Sequence, residues 1–273
     1  ALKDAEAALA STSSVPYSSA AVSKPTFIDI EDASWMWGIL ITDKDRVSTT
    51  GICNFPSHMG SLNYGYASVG GWRRISPKLY NQIPESDVRK GWFLDDTGVS
   101  VNLPAAAQAY ITKKGAPVYT QVKYGPMNDE WGSNNNATDV ILMRVEEMYL
   151  IKAEAQAMNN DVSGGVNTLN SFVNTYRDPS YKCTATTGEA VQEAVWHQRR
   201  IEFWGEGLAY FDIMRLNKGV NRLGCGFPKT AVFNIAAGDP VQIYSIPNKE
   251  VQYNPLLENN PLVSAPTPIP DEE

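Results

Sequence analysis

The sequence has few of the residues that build metal centres. It contains three cysteines, Cys53, Cys183 and Cys225, and only two histidines. No two cysteines have the Cys-x-x-Cys spacing of a structural zinc site, and two histidines are too few for a histidine-rich site. The odd number of cysteines leaves at least one thiol unpaired, so no disulfide framework can be predicted. We therefore expect a functional site without a metal ion or cofactor.

Basic clusters and long apolar runs are also missing. The net charge is −7, and no run of Lys and Arg is longer than a pair such as Arg73-Arg74 or Arg199-Arg200. A nucleic-acid groove and a surface for anionic lipids both need a basic face, so we expect neither partner. No stretch reaches the roughly 18 apolar residues of a membrane-spanning helix.

The familiar catalytic motifs are absent as well. The sequence has no Gly-x-Ser-x-Gly elbow, no Gly-x-x-x-x-Gly-Lys-Ser/Thr loop, no Gly-x-Gly-x-x-Gly after a strand and no His-Glu-x-x-His. We expect a protein that is not an enzyme. The main enzymatic alternative is a glycoside hydrolase, which needs only two carboxylates across a cleft; Asp43, Asp45 and Asp129 are its candidates.

The first third of the chain gives few regular patterns. Residues 1–10 have the spacing of the last turns of a helix, and residues 11–26 are rich in Ser, Ala and Pro, as connectors are. Residues 34–42 form a short apolar run that predicts a buried strand. Trp35 and Trp37 are two apart, so we expect both on one face of that strand, in the core.

A mainly α fold is predicted by the second half of the chain. Apolar stripes indicate helices over residues 140–158, about 165–176 and about 188–204, preceded by a long loop-rich stretch over residues 43–135. A helix–turn–helix unit of about 34 residues matches a tetratricopeptide repeat in size. The prediction is therefore tetratricopeptide-like helical pairs with a long loop-rich region and minor β structure.

Charged residues on these helices have two interpretations. Glu202 and Glu206 are four apart and would share a helix face, an arrangement that also suits a pair of catalytic carboxylates, but arginines flank them. We favour a network of salt bridges that holds helices together. The same interpretation applies to these further residues: Arg144, Glu147, Glu154, Arg199, Arg200, Asp212 and Arg215.

The best functional candidate is an aromatic, glycine-rich loop over residues 53–75. Sugar rings stack on aromatic rings, their hydroxyls bind planar groups such as Asn and Arg, and glycine allows the backbone to approach a ligand. The alternative is that these aromatics only anchor the loop to the core. The candidate ligand-binding residues, with one from a second loop, are Phe55, Asn63, Tyr64, Tyr66, Trp72, Arg73 and Trp131.

Trp131 lies in an Asn-rich segment, residues 128–136. Such a segment could offer oxygen ligands to calcium, although the twelve-residue calcium loop motif is missing. We favour a loop of Asx turns in which Thr138 or Asp139 caps the following helix.

Three segments resemble the SusD/RagB family. They are residues 139–156 (DVILMRVEEMYLIKAEAQ), 198–215 (QRRIEFWGEGLAYFDIMR) and 243–261 (IYSIPNKEVQYNPLLENNP). Their order and spacing also agree, and the resemblance covers roughly residues 27–262. The ending departs from the family pattern in two places, because Glu258 stands where Gln is expected and no Gly-Tyr follows Pro261.

The resemblance implies a mostly helical, SusD-like fold with a loop-rich ligand face. It implies a non-catalytic subunit that binds a nutrient, most often an oligosaccharide, on the outer-membrane surface and serves a TonB-dependent transporter. Membrane attachment would come only from a lipid anchor that this chain does not contain, and the family's N-terminal helical half also lies outside it. A peptide-binding helical scaffold is a further alternative.

The resemblance also implies one SusD/RagB-like domain over residues 1–273. Within it we expect a helix end and connector (1–26), a loop-rich ligand face (27–138), a helical region with an extended tail (139–262) and a frayed terminus (263–273).

Overall fold

The computed structural model describes residues 1–45, 54–261 and 263–266. The chain divides into two compact units, Ala1–Ile75 with Leu79–Glu206, and Ser76–Lys78 with Gly207–Glu273. Cys183 and Cys225 are free thiols, whereas Cys53 lies outside the described residues.

The first unit contains most of the regular structure. Its α-helices are α1 (Leu2–Ser11), α2 (Ser19–Val22), α3 (Phe55–Met59), α4 (Pro77–Tyr80, which begins in the second unit), α5 (Ala105–Lys113), α6 (Val145–Met158), α7 (Val162–Tyr176) and α8 (Gly188–Glu202). Short 3-10 helices cover Tyr66–Val69, Val88–Trp92 and Met127–Asp129. Two strands, β1 (Trp35–Ile39) and β2 (Val140–Arg144), pair antiparallel. The expectation of a mainly α chain with minor β structure is confirmed.

Helix α6 is the centre of the helical scaffold, since it packs against α1, α7 and α8. The contact with α7 depends on Gly165, because a Cβ there would lie 2.6 Å from the Ala153 carbonyl oxygen. Helix α7 begins earlier than predicted, at Val162, because the Asp161 carboxylate accepts a hydrogen bond of 2.9 Å from the Gly164 amide and caps it.

The prediction of a helix over residues 140–158 is wrong for its first five residues. These residues form β2, which pairs with β1, and the helix begins only at Val145. The predicted cap is also wrong. Because a strand follows, the Asp139 carboxylate instead accepts hydrogen bonds from the backbone amides of Ile30 (2.8 Å) and Ile41 (2.7 Å).

The expectation that Trp35 and Trp37 share a core face is wrong. The pairing of β1 is irregular on both sides of Trp37, so the strict alternation of a strand is lost. Trp35 is buried, whereas the Trp37 side chain is 65% exposed.

Hydrophobic clusters among the described residues organise the first unit. The main core is formed by Tyr17, Val22, Phe27, Trp35, Ile75, Leu79, Tyr80, Ile83, Trp92, Phe93, Tyr124, Ile141 and Ile201. A smaller cluster is formed by Leu62, Leu94, Ala107, Ile111 and Val122. Trp92 is fully buried, and its indole nitrogen donates to the Val22 carbonyl over 2.8 Å. The smaller cluster is the floor of the candidate site described below.

The second unit contains short elements. These are α9 (Ala209–Arg215), α10 (Asn248–Tyr253), the paired strands β3 (Val220–Asn221) and β4 (Asn234–Ile235), and 3-10 turns at Lys229–Ala231 and Pro240–Gln242. The tail is fixed by Asn259, whose side chain bonds both the amide and the carbonyl of Ile246 (2.8 and 3.1 Å). Within the described part of the chain, no helix combines the length and apolar character required to cross a bilayer.

Candidate functional site

Two loops that are far apart in sequence lie side by side in the first unit. We call residues 54–73 the first loop, residues 126–137 the second loop, and the surface that they form together the loop face. The Gly132 amide donates to the Leu62 carbonyl (2.7 Å), and the Tyr64 amide donates to the Ser133 carbonyl (2.8 Å). The structure therefore brings Trp131 of the second loop to the aromatic residues of the first.

The buried side chain of Asn63 connects the two loops. Its side chain is only 4% exposed, and its amide nitrogen donates to the Pro56 carbonyl (3.2 Å) and to the Asn136 side chain. Asn136 in turn donates to the Tyr64 carbonyl over 3.2 Å. Asn63 therefore lies within the structure and positions both loops, whereas the sequence predicted contact with ligand.

Trp72 and Trp131 pack on the same floor. Both rings are half-buried against the smaller hydrophobic cluster, next to Tyr110 of α5. Gly132 makes this packing possible, because its φ is +85° and a Cβ there would lie 2.7 Å from the Tyr110 ring. Each ring thus has one side anchored and part of its surface free for a ligand.

Tyr64 and Tyr66 extend the loop face. Tyr64 is 43% exposed, while the half-buried Tyr66 ring lies 4.4 Å from the His58 ring. The Arg73 guanidinium lies 5.8 Å from the Tyr66 ring centre, within the range of a cation–π contact. Phe55 differs from these residues, because it packs against the main core with its ring 5.7 Å from Tyr124.

Two residues that support the loop face were missed by the sequence analysis. Tyr110 belongs to α5, which was not predicted, so no signal pointed to its ring. Gln121 is fully buried and donates to the Met59 carbonyl and to the Ser61 hydroxyl (3.2 Å). A buried glutamine between glycine-rich segments carries no distinctive pattern in a single sequence.

Glu202 and Glu206 belong to a buried ionic network. Glu202 is fully buried and is bound by three arginines: Arg177 at 2.8 Å, Arg144 at 2.8 Å and Arg89 at 3.2 Å. Burial alone would raise the pKa of Glu202, but the guanidinium groups of Arg177, Arg144 and Arg89 outweigh it and hold that pKa well below its usual range. A carboxylate in this state is a permanent anion and cannot act as a general acid at neutral pH.

The two carboxylates do not share a helix face, because α8 ends at Glu202 and Gly205 adopts a φ of +80°. They still converge, since Arg144 bonds both of them. The prediction that both carboxylates form structural salt bridges is confirmed, but their partners are Arg144, Arg177, Arg89 and Lys123, of which only Arg144 was predicted. Arg199 forms an ion pair with Glu147 between α8 and α6 (3.0 Å), and Glu154 of α6 accepts a hydrogen bond from Gln192 of α8 (2.8 Å). Arg215 and Asp212 form an ion pair within α9 (2.8 Å) and therefore do not join two helices.

Lys123 completes the buried network. Its ammonium group contacts Glu206 (2.5 Å) and lies over the rings of Phe27 (4.6 Å) and Trp92 (4.7 Å). Burial lowers the pKa of Lys123 to about 8, and the Glu206 carboxylate opposes that shift. This lysine is enclosed by protein on all sides, so it stabilises the scaffold and offers nothing to a ligand.

Two of the three loop carboxylates proposed for a hydrolase, Asp43 and Asp45 but not Asp129, have hydrogen-bond partners among the described residues. Asp43 accepts a hydrogen bond of 2.7 Å from Asn135, and Asp45 accepts from the Thr42 amide and hydroxyl (2.7 and 2.9 Å). The hydrogen bond from the Thr42 amide lowers the pKa of Asp45, the opposite of the shift that a general acid needs. Among the described residues, no three His, Cys, Asp or Glu side chains are grouped closely enough to hold a metal ion.

Comparison with known proteins identifies the family. The family model described as SusD family matches residues 89–262, more than half of the chain. The chain belongs to the SusD family. No curated protein matches its sequence.

Solved structures agree with the SusD fold. A SusD superfamily protein from Bacteroides thetaiotaomicron VPI-5482 matches with a TM-score of 0.71 and 22% identity, covering 95% of this chain and 56% of that one. A SusD-like carbohydrate binding protein from Bacteroides vulgatus ATCC 8482 matches with a TM-score of 0.61 and 23% identity, over 90% of this chain and 45% of that one. Surface glycan-binding protein A from Bacteroides thetaiotaomicron matches with a TM-score of 0.60 and 17% identity, over 95% and 58%. The chain thus spans about half the length of these three structures.

Proposed function

We propose that this SusD-family chain binds a glycan at the loop face and does not act on it chemically. The observation that carries this proposal is the pair Trp72 and Trp131. Their rings stand on one hydrophobic floor, in loops held together by backbone hydrogen bonds, with part of each ring open to solvent. Fixed aromatic rings with free surface suit the C–H faces of sugar rings.

The polar surroundings of the two rings fit the same ligand class. Arg73 lies beside the Tyr66 ring, and the exposed Asn134 lies in the second loop. Both side chains can form hydrogen bonds with sugar hydroxyls, which fix a stacked ring in register. The names of two structural relatives, a carbohydrate binding protein and a surface glycan-binding protein, point to this ligand class as well.

The family resemblance extends the proposal to a cellular setting. We place the whole protein at the outer-membrane surface, attached by a lipid anchor, where it would pass its ligand to a TonB-dependent transporter. This part of the proposal depends on the family alone. It would be tested by co-purification of the full-length protein with such a transporter.

The hydrolase alternative has less support. The carboxylates of Glu202 and Glu206 are held in ion pairs with Arg144 inside the scaffold. The hydrogen bond from the Thr42 amide lowers the pKa of Asp45. A peptide-binding scaffold has no observation in its favour beyond the helical pair itself. The binding experiment that follows separates all three functions.

The test is isothermal titration calorimetry of the wild-type chain and Trp72→Ala against a panel of neutral oligosaccharides. We expect saturable binding that Trp72→Ala weakens by about 1–3 kcal/mol, the usual value of one stacked ring. Trp37→Ala is a matched control, because Trp37 is exposed on β1 and lies outside the loop face. That variant should bind like the wild type.

Three outcomes would contradict the proposal. Release of shorter saccharides during the titration would favour the hydrolase. Binding of unstructured peptides in place of glycans would favour the scaffold. Equal loss of affinity in Trp72→Ala and Trp37→Ala would show that binding does not depend on the loop face.

A further inference from the structure

A second concave site lies in the first unit, apart from the loop face. It is a cavity of about 490 Å³, a size that is typical of small-molecule sites. Its walls come from the segments around residues 80–102 and from Tyr119. None of the seven residues predicted to bind ligand lines it, so neither the sequence analysis nor the proposed function accounts for it.

Two tyrosine rings form one wall of this cavity. The centres of the Tyr80 and Tyr119 rings lie 5.2 Å apart, inclined at 55°. Tyr80 packs against the main core and Tyr119 is half-buried, so the pair is held in place before any ligand arrives. A preformed aromatic wall costs a ligand little ordering on binding.

The chain itself already places an ammonium group in this cavity. The Lys90 ammonium lies 5.1 Å from the centre of the Tyr80 ring and forms an ion pair with Glu85. A cation over the face of an aromatic ring is attracted by the ring quadrupole. The cavity wall therefore has the chemistry that receives an alkylammonium ion.

The charges of the lining leave an anionic excess. Asp87 is paired with the buried Arg89, and Glu85 is paired with Lys90. The remaining carboxylates are Asp95 and Asp96, and Asp96 forms no hydrogen bond or ion pair with the described residues. This excess would attract a positively charged ligand and repel a uronic acid or a sulfated sugar.

The charge of the Asp95 carboxylate is maintained locally. Burial would raise its pKa, but hydrogen bonds from Thr97, Val99 and Gly98 outweigh that effect and lower it. Burial, together with the carboxylates of Asp95, Glu85 and Asp96, raises the pKa of Tyr80 to about 12. Asp95 and Asp96 line the same cavity as the two tyrosine rings.

We propose that this cavity is a second binding site, for a saccharide unit that carries a free amino group. The sugar ring would lie against Tyr80 and Tyr119, its ammonium group would face Asp95 and Asp96, and its hydroxyls would meet Asn81 and Ser86. The choice of a saccharide rests on the proposed function, whereas the preference for an amine rests on the cavity alone.

The position of the cavity suits a chain of sugars. Val101 and Asn102 line both this cavity and a neighbouring one of about 360 Å³ that Trp131 also lines. The amino-sugar site therefore adjoins the edge of the loop face. One oligosaccharide could occupy both, with its charged unit in the acidic cavity.

The test compares a glucosamine trisaccharide with the N-acetylglucosamine trisaccharide, which has the same ring but no charge. Calorimetry at low salt, at a mildly acidic pH that keeps the amine protonated and the aspartates ionised, should give about tenfold tighter binding of the amine, because two carboxylates interact with it. Asp96→Asn should reduce that binding about threefold and Tyr119→Ala about tenfold. Asp4→Asn, an exposed aspartate of α1, is the matched charge control and should change nothing.

The outcomes separate this site from the loop face. Equal affinity for the two trisaccharides, or an amine affinity that Asp96→Asn leaves unchanged, would overturn the inference. So would binding of the amine that disappears in Trp72→Ala and persists in Tyr119→Ala. Because Asp96 is exposed and unpaired within the described residues, its variant keeps the test valid even where Tyr119→Ala does not fold. Binding of neutral glycans at the loop face is tested separately by Trp72→Ala.

Discussion

The buried ionic network and the loop face use charged and aromatic side chains in opposite ways. In the network, Glu202 is fully buried and forms ion pairs with three arginines. At the loop face, Trp72 and Trp131 are only half-buried and keep part of their rings free. Residues that suggest catalysis in the sequence therefore hold the scaffold together, while the capacity to bind remains in rings fixed at the surface.

The two regions differ because a buried carboxylate needs polar partners, whereas an aromatic ring does not. A buried carboxylate without partners would lose several kcal/mol of hydration, so the network must be complete to be tolerated. An aromatic ring has no such requirement, and its exposed part costs little until a ligand covers it. Variants in the two regions should accordingly affect different properties, stability in the first and affinity in the second.

The largest effect is expected from Glu202→Gln. The variant leaves three arginines without their shared anion, and breaking a buried pair of this kind usually costs about 3–5 kcal/mol of unfolding free energy. Chemical denaturation followed by circular dichroism measures this loss. Glu189→Gln is the matched control, because Glu189 is exposed in the first turn of the same helix, where the charge contributes less than about 1 kcal/mol. Equal stability of the two variants would contradict the account.

Acid should weaken the same network. The pKa of Glu202 and that of Glu206 are both lowered in the folded chain from the ordinary value of 4.5. Their contribution is therefore fully present above about pH 4.5 and is lost as the pH falls through the depressed values. Unfolding free energies measured from pH 6 down to pH 3 should decline below about 4.5. A flat profile over that range would show that these carboxylates are not stabilised by their arginines.

The next largest effect is expected at Asn63, whose side chain forms the joint between the two loops through its hydrogen bonds to Pro56 and Asn136. Asn63→Ala removes two buried hydrogen bonds, to the Pro56 carbonyl and to the Asn136 side chain, which costs about 1–3 kcal/mol. Because the joint positions both loops, glycan affinity should fall as well. Asn134→Ala, an exposed asparagine of the second loop, should leave the stability unchanged. Denaturation and calorimetry on the pair measure both properties, and unchanged affinity in Asn63→Ala would separate the joint from binding.

The smallest effect is expected at Tyr64. Its ring is 43% exposed and offers a stacking surface at the margin of the loop face, so Tyr64→Ala should weaken glycan binding by about 1 kcal/mol. Tyr64→Phe keeps the ring and should retain most of the affinity, which calorimetry can resolve. A larger loss in Tyr64→Phe than in Tyr64→Ala would show that the ring is not the contact.

The helical scaffold could be predicted because its signals are local. Apolar stripes indicated α6, α7 and α8. The nearby arginines indicated that Glu202 and Glu206 are structural, whereas their partners Arg89, Lys123 and Arg177 are distant in sequence and could not be predicted. Helix α5 was not predicted, because only two of its residues, Ala107 and Ile111, are buried, too few to form an apolar stripe. Strand β2 escaped because its apolar run continues directly into α6, and only its partner β1 distinguishes it from helix.

The loop face could be predicted only in part. Aromatic and glycine content identified Tyr64, Tyr66 and Trp72, and the Asn-rich segment identified Trp131. The contact between the two loops could not be predicted, because it depends on backbone hydrogen bonds such as that from Gly132 to Leu62, and backbone groups are the same whatever the side chain. The acidic cavity was missed for the same reason, since Tyr80 and Tyr119 are brought together only by the fold.

The most direct test of the account is a nitrogen–proton correlation spectrum of the indole groups during titration with a bound oligosaccharide. The chain has seven tryptophans, so each indole signal can be assigned by single substitution. The account predicts that the signals of Trp72 and Trp131 move with ligand concentration, while those of the buried Trp92 and of Trp37, which lies on β1, stay in place. Movement of Trp37 or Trp92 with fixed Trp72 and Trp131 signals would contradict binding at the loop face.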